Sequence, residues 1–134
     1  MYGEAVQMGA AIGAKLAKPD KMVVVLHGDG SFGMNAMELD TAVRHKIAIL
    51  TVILNNAGWT AARKGVTSPG HDLGHTHYEQ MFAPIGVHPE YVEKPQDIRP
   101  ALERAAAAVQ SGKPALVNVV CDPFAASSTQ SFYT

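Results

Sequence analysis

Cysteine is nearly absent from this sequence: Cys121 is the single one in 134 residues. One cysteine cannot form an intramolecular disulfide, which excludes the disulfide-rich secreted class and favours a reducing, cytoplasmic location. We interpret Cys121 as a small, buried strand residue.

Long apolar runs and an excess of either charge are also missing. No run reaches the roughly 18 apolar residues of a membrane span, and the residues after Met1 lack the basic and apolar regions of a signal peptide. The formal net charge is −1, so no basic surface predicts nucleic-acid binding. With 47% hydrophobic and 17% charged residues, we expect one globular domain, with neither a membrane nor a nucleic acid as partner.

Two apolar runs are each followed by a turn rich in glycine or asparagine. Residues 22–26 precede Gly28-Asp29-Gly30-Ser31, and residues 47–54 precede Asn55-Asn56-Ala57-Gly58. Continuous β-branched runs predict strands buried on both faces, and residues 32–44 between them have helical spacing. A parallel strand–helix–strand crossover is therefore predicted, which brings Asp29 and Asn56 together at the carboxyl ends of neighbouring strands.

The rest of the chain continues the alternation of helix and strand. Helices are predicted over residues 4–17, 78–85 and 98–110, and strands over residues 90–93 and 115–120. Asp97 is expected to cap the last helix. Residues 59–77 are too long for a routine connection and are typical of a functional or mobile loop. The order predicts an α/β fold with a parallel sheet flanked by helices.

The two turns carry groups that suit a metal and a phosphate. The carboxylate of Asp29 and the amide oxygen of Asn56 are hard ligands, which Mg²⁺ prefers and shares with phosphate oxygens. Gly30 and Ser31 open the predicted helix, where free backbone N–H groups attract phosphate. The Ser31 hydroxyl could equally cap that helix.

Together the turns resemble the thiamine diphosphate motif, which is Gly-Asp-Gly, some two dozen residues, and then Asn-Asn. A lone Gly-Asp-Gly is a weak signal, but both halves at this spacing on strand ends are specific. The similarity extends over residues 11–17, 91–102 and 112–119 to the diphosphate-binding domain of acetolactate synthase-like enzymes, a group that includes oxalyl-CoA decarboxylases and 2-hydroxyacyl-CoA lyases. The resemblance implies a thiamine diphosphate-binding fold over residues 1–134.

The resemblance also implies roles for single residues. Asp29, the side chain of Asn56 and the backbone carbonyl of Gly58 would ligate Mg²⁺, while Gly30 and Ser31 would hold the diphosphate. Trp59 would either face the cofactor or anchor the long loop. The whole implied cofactor-binding set is Gly28, Asp29, Gly30, Ser31, Asn56, Gly58 and Trp59.

The sequence departs from the family pattern in three respects. Glu4 aligns with a large apolar residue that supports the cofactor in the family, so either the alignment is off by one or two residues or this site is altered. The family domain is also longer at its start by a strand and a helix. No segment resembles the pyrimidine-binding domain, which carries the activating glutamate, so no catalytic residue is assigned to this chain. The resemblance therefore implies the small subunit of a split lyase, ligase or decarboxylase for 2-hydroxyacyl-CoA or 2-oxo acid substrates. A larger subunit would bring the pyrimidine-binding domain, in a dimer of heterodimers or a larger hetero-oligomer.

Other interpretations stay open. Glu4 favours a non-catalytic cofactor-binding or regulatory subunit, and an acetolactate synthase-type carboligase fragment is a further alternative. A Rossmann-like nucleotide domain is disfavoured, because no acidic residue follows the end of the second predicted strand.

Several histidines and the tail have two interpretations each. His71, His75 and His77 lack a completing zinc ligand, so we expect a substrate-side role for this region. His27 is expected to pack in the core or to support a metal ligand. Residues 127–134 are either a lid over the active site, which weakly favours acyl-CoA substrates, or a frayed terminus.

Overall fold

The computed structural model describes residues 6–59 and 69–125. Helices and strands alternate along them, as α1 Gln7–Ala17, β1 Val24–Gly28, α2 Asp29–Asn35, α3 Glu38–Arg44, β2 Leu50–Asn55, α4 Tyr78–Phe82, a 3₁₀ turn Ala83–Ile85, β3 His88–Val92, α5 Pro95–Gln110 and β4 Ala115–Val120. Among the helices so described, none has both the length and the apolar character needed to cross a membrane.

The four strands form one parallel sheet in the order β1-β2-β4-β3. Helices α1 to α4 contribute to the core on one face, and α5 packs on the other. This confirms the predicted α/β class with a parallel sheet flanked by helices. All strands point the same way, so their carboxyl ends meet at one edge of the sheet.

The two faces of the sheet are packed differently. On the side of α1 to α4, the fully buried ring of Phe32 meets the rings of Tyr78 and Phe82 edge to face, with centroids 5.4 and 5.8 Å apart. On the other side, α5 presents Ala101 and Ala105, both fully buried. Small side chains let α5 lie close to the sheet, whereas the large aromatic cluster holds α2 and α4 over the opposite face.

Strand β1 differs from its prediction in bounds and in burial. It spans Val24–Gly28 rather than residues 22–26, and the side chains of Val24 and Leu26 are each 55% exposed. β1 is an edge strand, and α5 packs mainly against β3 and β4, so this side of β1 stays open. The prediction of burial on both faces is therefore wrong for β1, although it holds along most of β2.

The helix predictions need two corrections. The predicted helix over residues 32–44 is two helices, α2 and α3, and the first already begins at Asp29. Gly33 and Asn35, which are weak helix formers, precede the break. The last helix begins at Pro95 after Lys94, so Asp97 lies in its first turn and does not cap it. α1 is described from Gln7, and Glu4 lies outside the described residues.

Candidate cofactor site

A cavity of about 350 Å³ lies at the carboxyl ends of β1, β2 and β4. This volume is within the range of about 300–1,000 Å³ that is usual for ligand pockets. Gly28 is in register with Leu54 in the parallel pair of β1 and β2, which brings the two turns side by side. The cavity lining includes all seven residues of the implied cofactor-binding set: Gly28, Asp29, Gly30, Ser31, Asn56, Gly58 and Trp59.

The first turn passes directly from strand to helix. Gly28 is the last residue of β1 and the N-cap of α2, with extended backbone angles. The Ser31 hydroxyl donates to the Gly28 carbonyl at 3.0 Å, and no side chain caps α2. The capping role considered for Ser31 is therefore wrong, and its hydroxyl must rotate before it can donate to a ligand in the cavity.

Asp29 sets the electrostatics of the site. Its carboxylate is fully buried at the start of α2. Burial, together with the negative charge of Asp29, raises the pKa of both the Tyr78 phenol and the Cys121 thiol. A buried carboxylate stabilises a cation placed beside it far more than an exposed one does, so the donor set of this turn suits a metal ion.

The second turn is held in an uncommon conformation by its first residue. Ala57 has φ +61°, which costs a non-glycine residue roughly 1–2 kcal/mol. The backbone N–H of Ala57 donates to Oδ1 of the fully buried Asn55 at 3.1 Å. This bond fixes the turn, so that Asn56 and Gly58 lie at the cavity wall.

Trp59 connects the two turns. A Cβ atom added to Gly30 would lie 2.8 Å from Cδ2 and Cε3 of the indole ring, so the ring packs directly over this glycine. Trp59 is nevertheless 43% exposed and lines the cavity. Packing against the protein and facing the cavity are thus compatible for this residue.

Residues 71–73 return to the second turn. The N–H of Trp59 donates to the His71 carbonyl at 3.1 Å, and the N–H of Leu73 donates to the Ala57 carbonyl at 3.0 Å. Gly58 and Asp72 form an antiparallel bridge between these two bonds. The base of the long loop is therefore paired with the turn that lines the cavity.

Comparison with known proteins identifies the family. Residues 5–119 match the family described as thiamine pyrophosphate enzyme, C-terminal TPP binding domain. This chain belongs to the thiamine diphosphate-dependent enzymes. The family description supports thiamine diphosphate as the cofactor of this domain.

The names of the relatives within the family describe different reactions. An acetolactate synthase large subunit from Mycobacterium tuberculosis is 43% identical over 129 residues, and a 2-hydroxyacyl-CoA lyase from Arabidopsis thaliana is 33% identical over 135 residues. Each match covers 92% of this chain but 23% of the relative. A thiamine diphosphate-dependent 4-hydroxybenzoylformate decarboxylase from Rhodococcus jostii superimposes with a TM-score of 0.75 at 30% identity, over 92% of this chain and 24% of that one.

The three histidines of the loop, His71, His75 and His77, are not among the residues that line the cavity. Nδ1 of His77 lies 2.7 Å from Oε1 of Glu79. Over residues 6–59 and 69–125, no three His, Cys, Asp or Glu residues gather into a group that could hold a metal. A substrate-side role for this region stays a prediction.

His27 is a core residue in the structure. It is 2% exposed and packs edge to face against Phe32, with ring centroids 5.8 Å apart. Neither ring nitrogen has a hydrogen-bond partner within the described residues, and burial lowers the pKa of the imidazole. Of the two predicted roles, the structure favours packing with a neutral ring.

The cavity also includes residues that the sequence analysis did not assign to the site. These residues are Leu54 in β2, and Cys121, Asp122 and Ala125, which follow β4. The interpretation of Cys121 as a buried strand residue is wrong, since it lies one residue past β4, is half-buried and lines the cavity. The rule that ligands bind at the carboxyl ends of parallel strands would have indicated Cys121 and Asp122 if it had been applied to the strand predicted over residues 115–120.

Proposed function

We propose that this chain is the magnesium- and diphosphate-binding part of an enzyme that makes or breaks a carbon–carbon bond next to a carbonyl group. One observation supports this most: the two halves of the sequence motif line a single cavity, with the buried carboxylate of Asp29 in its wall. Carboxylate, amide and carbonyl oxygens form a hard donor set that fits Mg²⁺ bound to diphosphate.

Within this proposal, each turn has its own task. Asp29, the side chain of Asn56 and the carbonyl of Gly58 hold Mg²⁺, and the backbone of Gly30 and Ser31 holds the diphosphate at the start of α2. When bound, thiamine diphosphate supplies a carbon nucleophile that adds to a substrate carbonyl and then stores the electron pair. The chain's own residues bind and orient the cofactor.

We further propose that a larger subunit completes the enzyme and brings the pyrimidine-binding domain with its glutamate. The chain spans 23% of the length of the relatives named above. The open side of β1 supports this, because Val24 and Leu26 are exposed next to Leu54, which is 42% exposed. Contiguous exposed apolar residues are typical of a surface covered by another element or chain. We assign this surface to the larger subunit.

Acetolactate synthase-type carboligation is the first reaction to test, because the 43% identity to acetolactate synthases exceeds the 33% identity to the plant 2-hydroxyacyl-CoA lyase. Cleavage of a 2-hydroxyacyl-CoA is the second candidate, favoured by several such lyases among the relatives. The tail over residues 127–134, which the sequence analysis associated with acyl-CoA, lies outside the described residues.

The test begins with binding by the complete enzyme, which means this chain with the polypeptide that carries the pyrimidine-binding domain. Calorimetric titration should give thiamine diphosphate binding that requires Mg²⁺ and that NAD does not displace. Absence of such binding would overturn the proposal. Turnover is then measured with a 2-oxo acid and with a 2-hydroxyacyl-CoA, and binding without either turnover would favour the non-catalytic subunit instead.

The larger subunit has its own test. Val24→Glu places a charge on the open side of β1, at the opposite end of the strand from the cavity, and should abolish co-purification of the two chains. A gene that encodes this chain and the pyrimidine-binding domain as one polypeptide would show the split-subunit proposal to be wrong, while leaving the cofactor assignment intact.

A further inference from the structure

We propose that Glu79 is a positioning residue for the magnesium-binding turn, acting on residues 56–58 through Asn118 and Asn55. The inference rests on the proposed function, since it concerns how the same metal site is held in place. Glu79 lies in α4, outside the cavity lining, and is 3% exposed.

A continuous set of hydrogen bonds joins Glu79 to the turn. Nδ2 of Asn118 donates to Oε2 of Glu79 at 2.8 Å, and Nδ2 of Asn55 donates to Oδ1 of Asn118 at 3.1 Å. Oδ1 of Asn55 then accepts the backbone N–H of Ala57 at 3.1 Å. Both asparagines are fully buried, so these bonds are made where water does not compete for them.

The direction of every bond in this set is determined. The Ala57 N–H can only donate, so the Oδ1 atom of Asn55 must face it, and the Nδ2 atom must face inward. Nδ2 of Asn118 faces two acceptors, the Glu79 carboxylate and the Thr76 carbonyl at 2.9 Å. Because a carboxylate accepts more strongly than a neutral group, Glu79 is the strongest element that holds the Asn118 amide in the orientation the turn requires.

A second connection reaches the same turn from the side. The carbonyl of Thr76 accepts from Nδ2 of both Asn55 and Asn118, which binds the segment before α4 to the sheet. That segment pairs with the turn through the Leu73 N–H and the Ala57 carbonyl. The left-handed residue Ala57 is therefore held at both of its backbone polar groups. Its N–H donates to Asn55, and its carbonyl accepts from Leu73.

His77 completes the arrangement at the protein surface. Its Nδ1 lies 2.7 Å from Oε1 of Glu79, and its side chain is 48% exposed. The centroid of its ring lies 4.3 Å from the centroid of the Tyr91 ring. Both carboxylate oxygens of Glu79 thus have partners, so that a buried acidic group is retained without an unsatisfied acceptor.

The test compares Glu79 variants of the complete enzyme with a matched control. Glu79→Ala should raise the dissociation constant of Mg²⁺, titrated calorimetrically at saturating thiamine diphosphate, by about 10- to 100-fold, as for other residues that orient a metal ligand. Glu79→Gln keeps the shape and an acceptor for Asn118, so it should restore most of the affinity. The control is Glu90→Gln. Glu90 also lies two residues after a histidine, and Nε2 of His88 is 2.9 Å from its Oε1 atom. Among the described residues, Glu90 has no bond to the magnesium-binding turn.

A purely structural role gives a different result. In that case Glu79→Ala would lower the melting temperature of the cofactor-free enzyme but leave the Mg²⁺ affinity of the folded protein within twofold of the parent, which would overturn the inference. If the parent enzyme binds neither Mg²⁺ nor thiamine diphosphate, the proposed function fails first. Should Glu79→Ala not fold, hydrogen exchange of Glu79→Gln decides. A neutral amide accepts more weakly than a carboxylate, so the Ala57 amide should exchange slightly faster, in line with the small remaining loss of affinity, while amides of β2 remain unchanged. Unchanged exchange at Ala57 contradicts the inference.

Discussion

Asn55 and Asn56 are consecutive residues of the same type, yet they belong to different parts of the molecule. Asn55 is fully buried and bonded to Asn118, Thr76 and the N–H of Ala57, whereas Asn56 lines the cavity. Successive side chains at a strand end point to opposite sides. One asparagine is therefore bonded inside the protein, and its neighbour contributes to the cavity wall. The same division holds for the carboxylates: Glu79 is held by protein groups, and Asp29 faces the cavity.

The largest expected effect is on the ligand side of this division. Asp29→Asn removes the buried negative charge that would bind Mg²⁺, and the dissociation constant should rise by more than about 100-fold, since residues that merely support a ligand already contribute about 10- to 100-fold. The cofactor-free protein should be no less stable, because an amide is easier to bury than a carboxylate. Calorimetry with Mg²⁺ and a thermal melt measure the two quantities, and a strongly destabilised variant would place Asp29 with the structural residues instead.

The two asparagines can be compared directly. Asn55→Ala leaves the Asn118 Oδ1 and the Ala57 N–H without their partner in the core, and should cost about 2–4 kcal/mol of unfolding free energy. Asn56→Ala should change that free energy by less than about 0.5 kcal/mol, as is usual for residues outside the core, but weaken Mg²⁺ binding. Chemical denaturation and metal titration of both variants give the answer. Equal destabilisation by the two substitutions would contradict the division.

Much of the fold follows from local sequence patterns. Alternating apolar runs and turn residues predict the order of helices and strands, and the spacing of Gly28-Asp29-Gly30 and Asn55-Asn56 predicts that the two turns meet. The exposure of β1, in contrast, cannot be predicted from a local pattern. Val24 and Leu26 have the same apolar character as the buried residues of β2, and which strand lies at the edge depends on the strand order in the sheet.

The supporting part of the site was harder to predict than the ligand part. Asn55 and Asn118 are 63 residues apart in sequence, and Asn118 and Glu79 are 39 apart. An asparagine in an apolar strand and a glutamate in a short helix have no local pattern that joins them, so their contact becomes visible only in three dimensions. Asn118 lies within β4 with the burial of an apolar residue, and this polar exception in a buried strand is the one available signal.

The contact between Gly30 and Trp59 joins the two turns and can be tested by compensation. In Gly30→Ala the new Cβ atom would lie 2.8 Å from the indole ring, and such overpacking costs about 1–3 kcal/mol unless the ring moves away. We expect lower stability and weaker thiamine diphosphate binding. The double variant Gly30→Ala, Trp59→Ala removes the clash and should recover the stability, measured by denaturation. If the double variant is as unstable as the single one, the backbone at Gly30 rather than the indole contact is responsible.

The smallest effect is expected at the other His-x-Glu pair, which lies away from the cavity. Glu90 accepts two bonds from the exposed Arg104 at 2.7 and 2.8 Å, and these, with a bond from His88, lower its pKa from the ordinary value of 4.5. A carboxyl group with a lowered pKa in the folded state stabilises the protein above its unfolded pKa and loses that contribution as the pH falls through the folded pKa. Glu90→Gln should therefore cost about 1 kcal/mol or less at pH 7, and the difference from the parent should shrink below pH 4.5. Metal affinity should not change. A loss of Mg²⁺ binding in Glu90→Gln would contradict this expectation. It would mean that a glutamate without a hydrogen-bond connection to the turn affects the metal as Glu79 does.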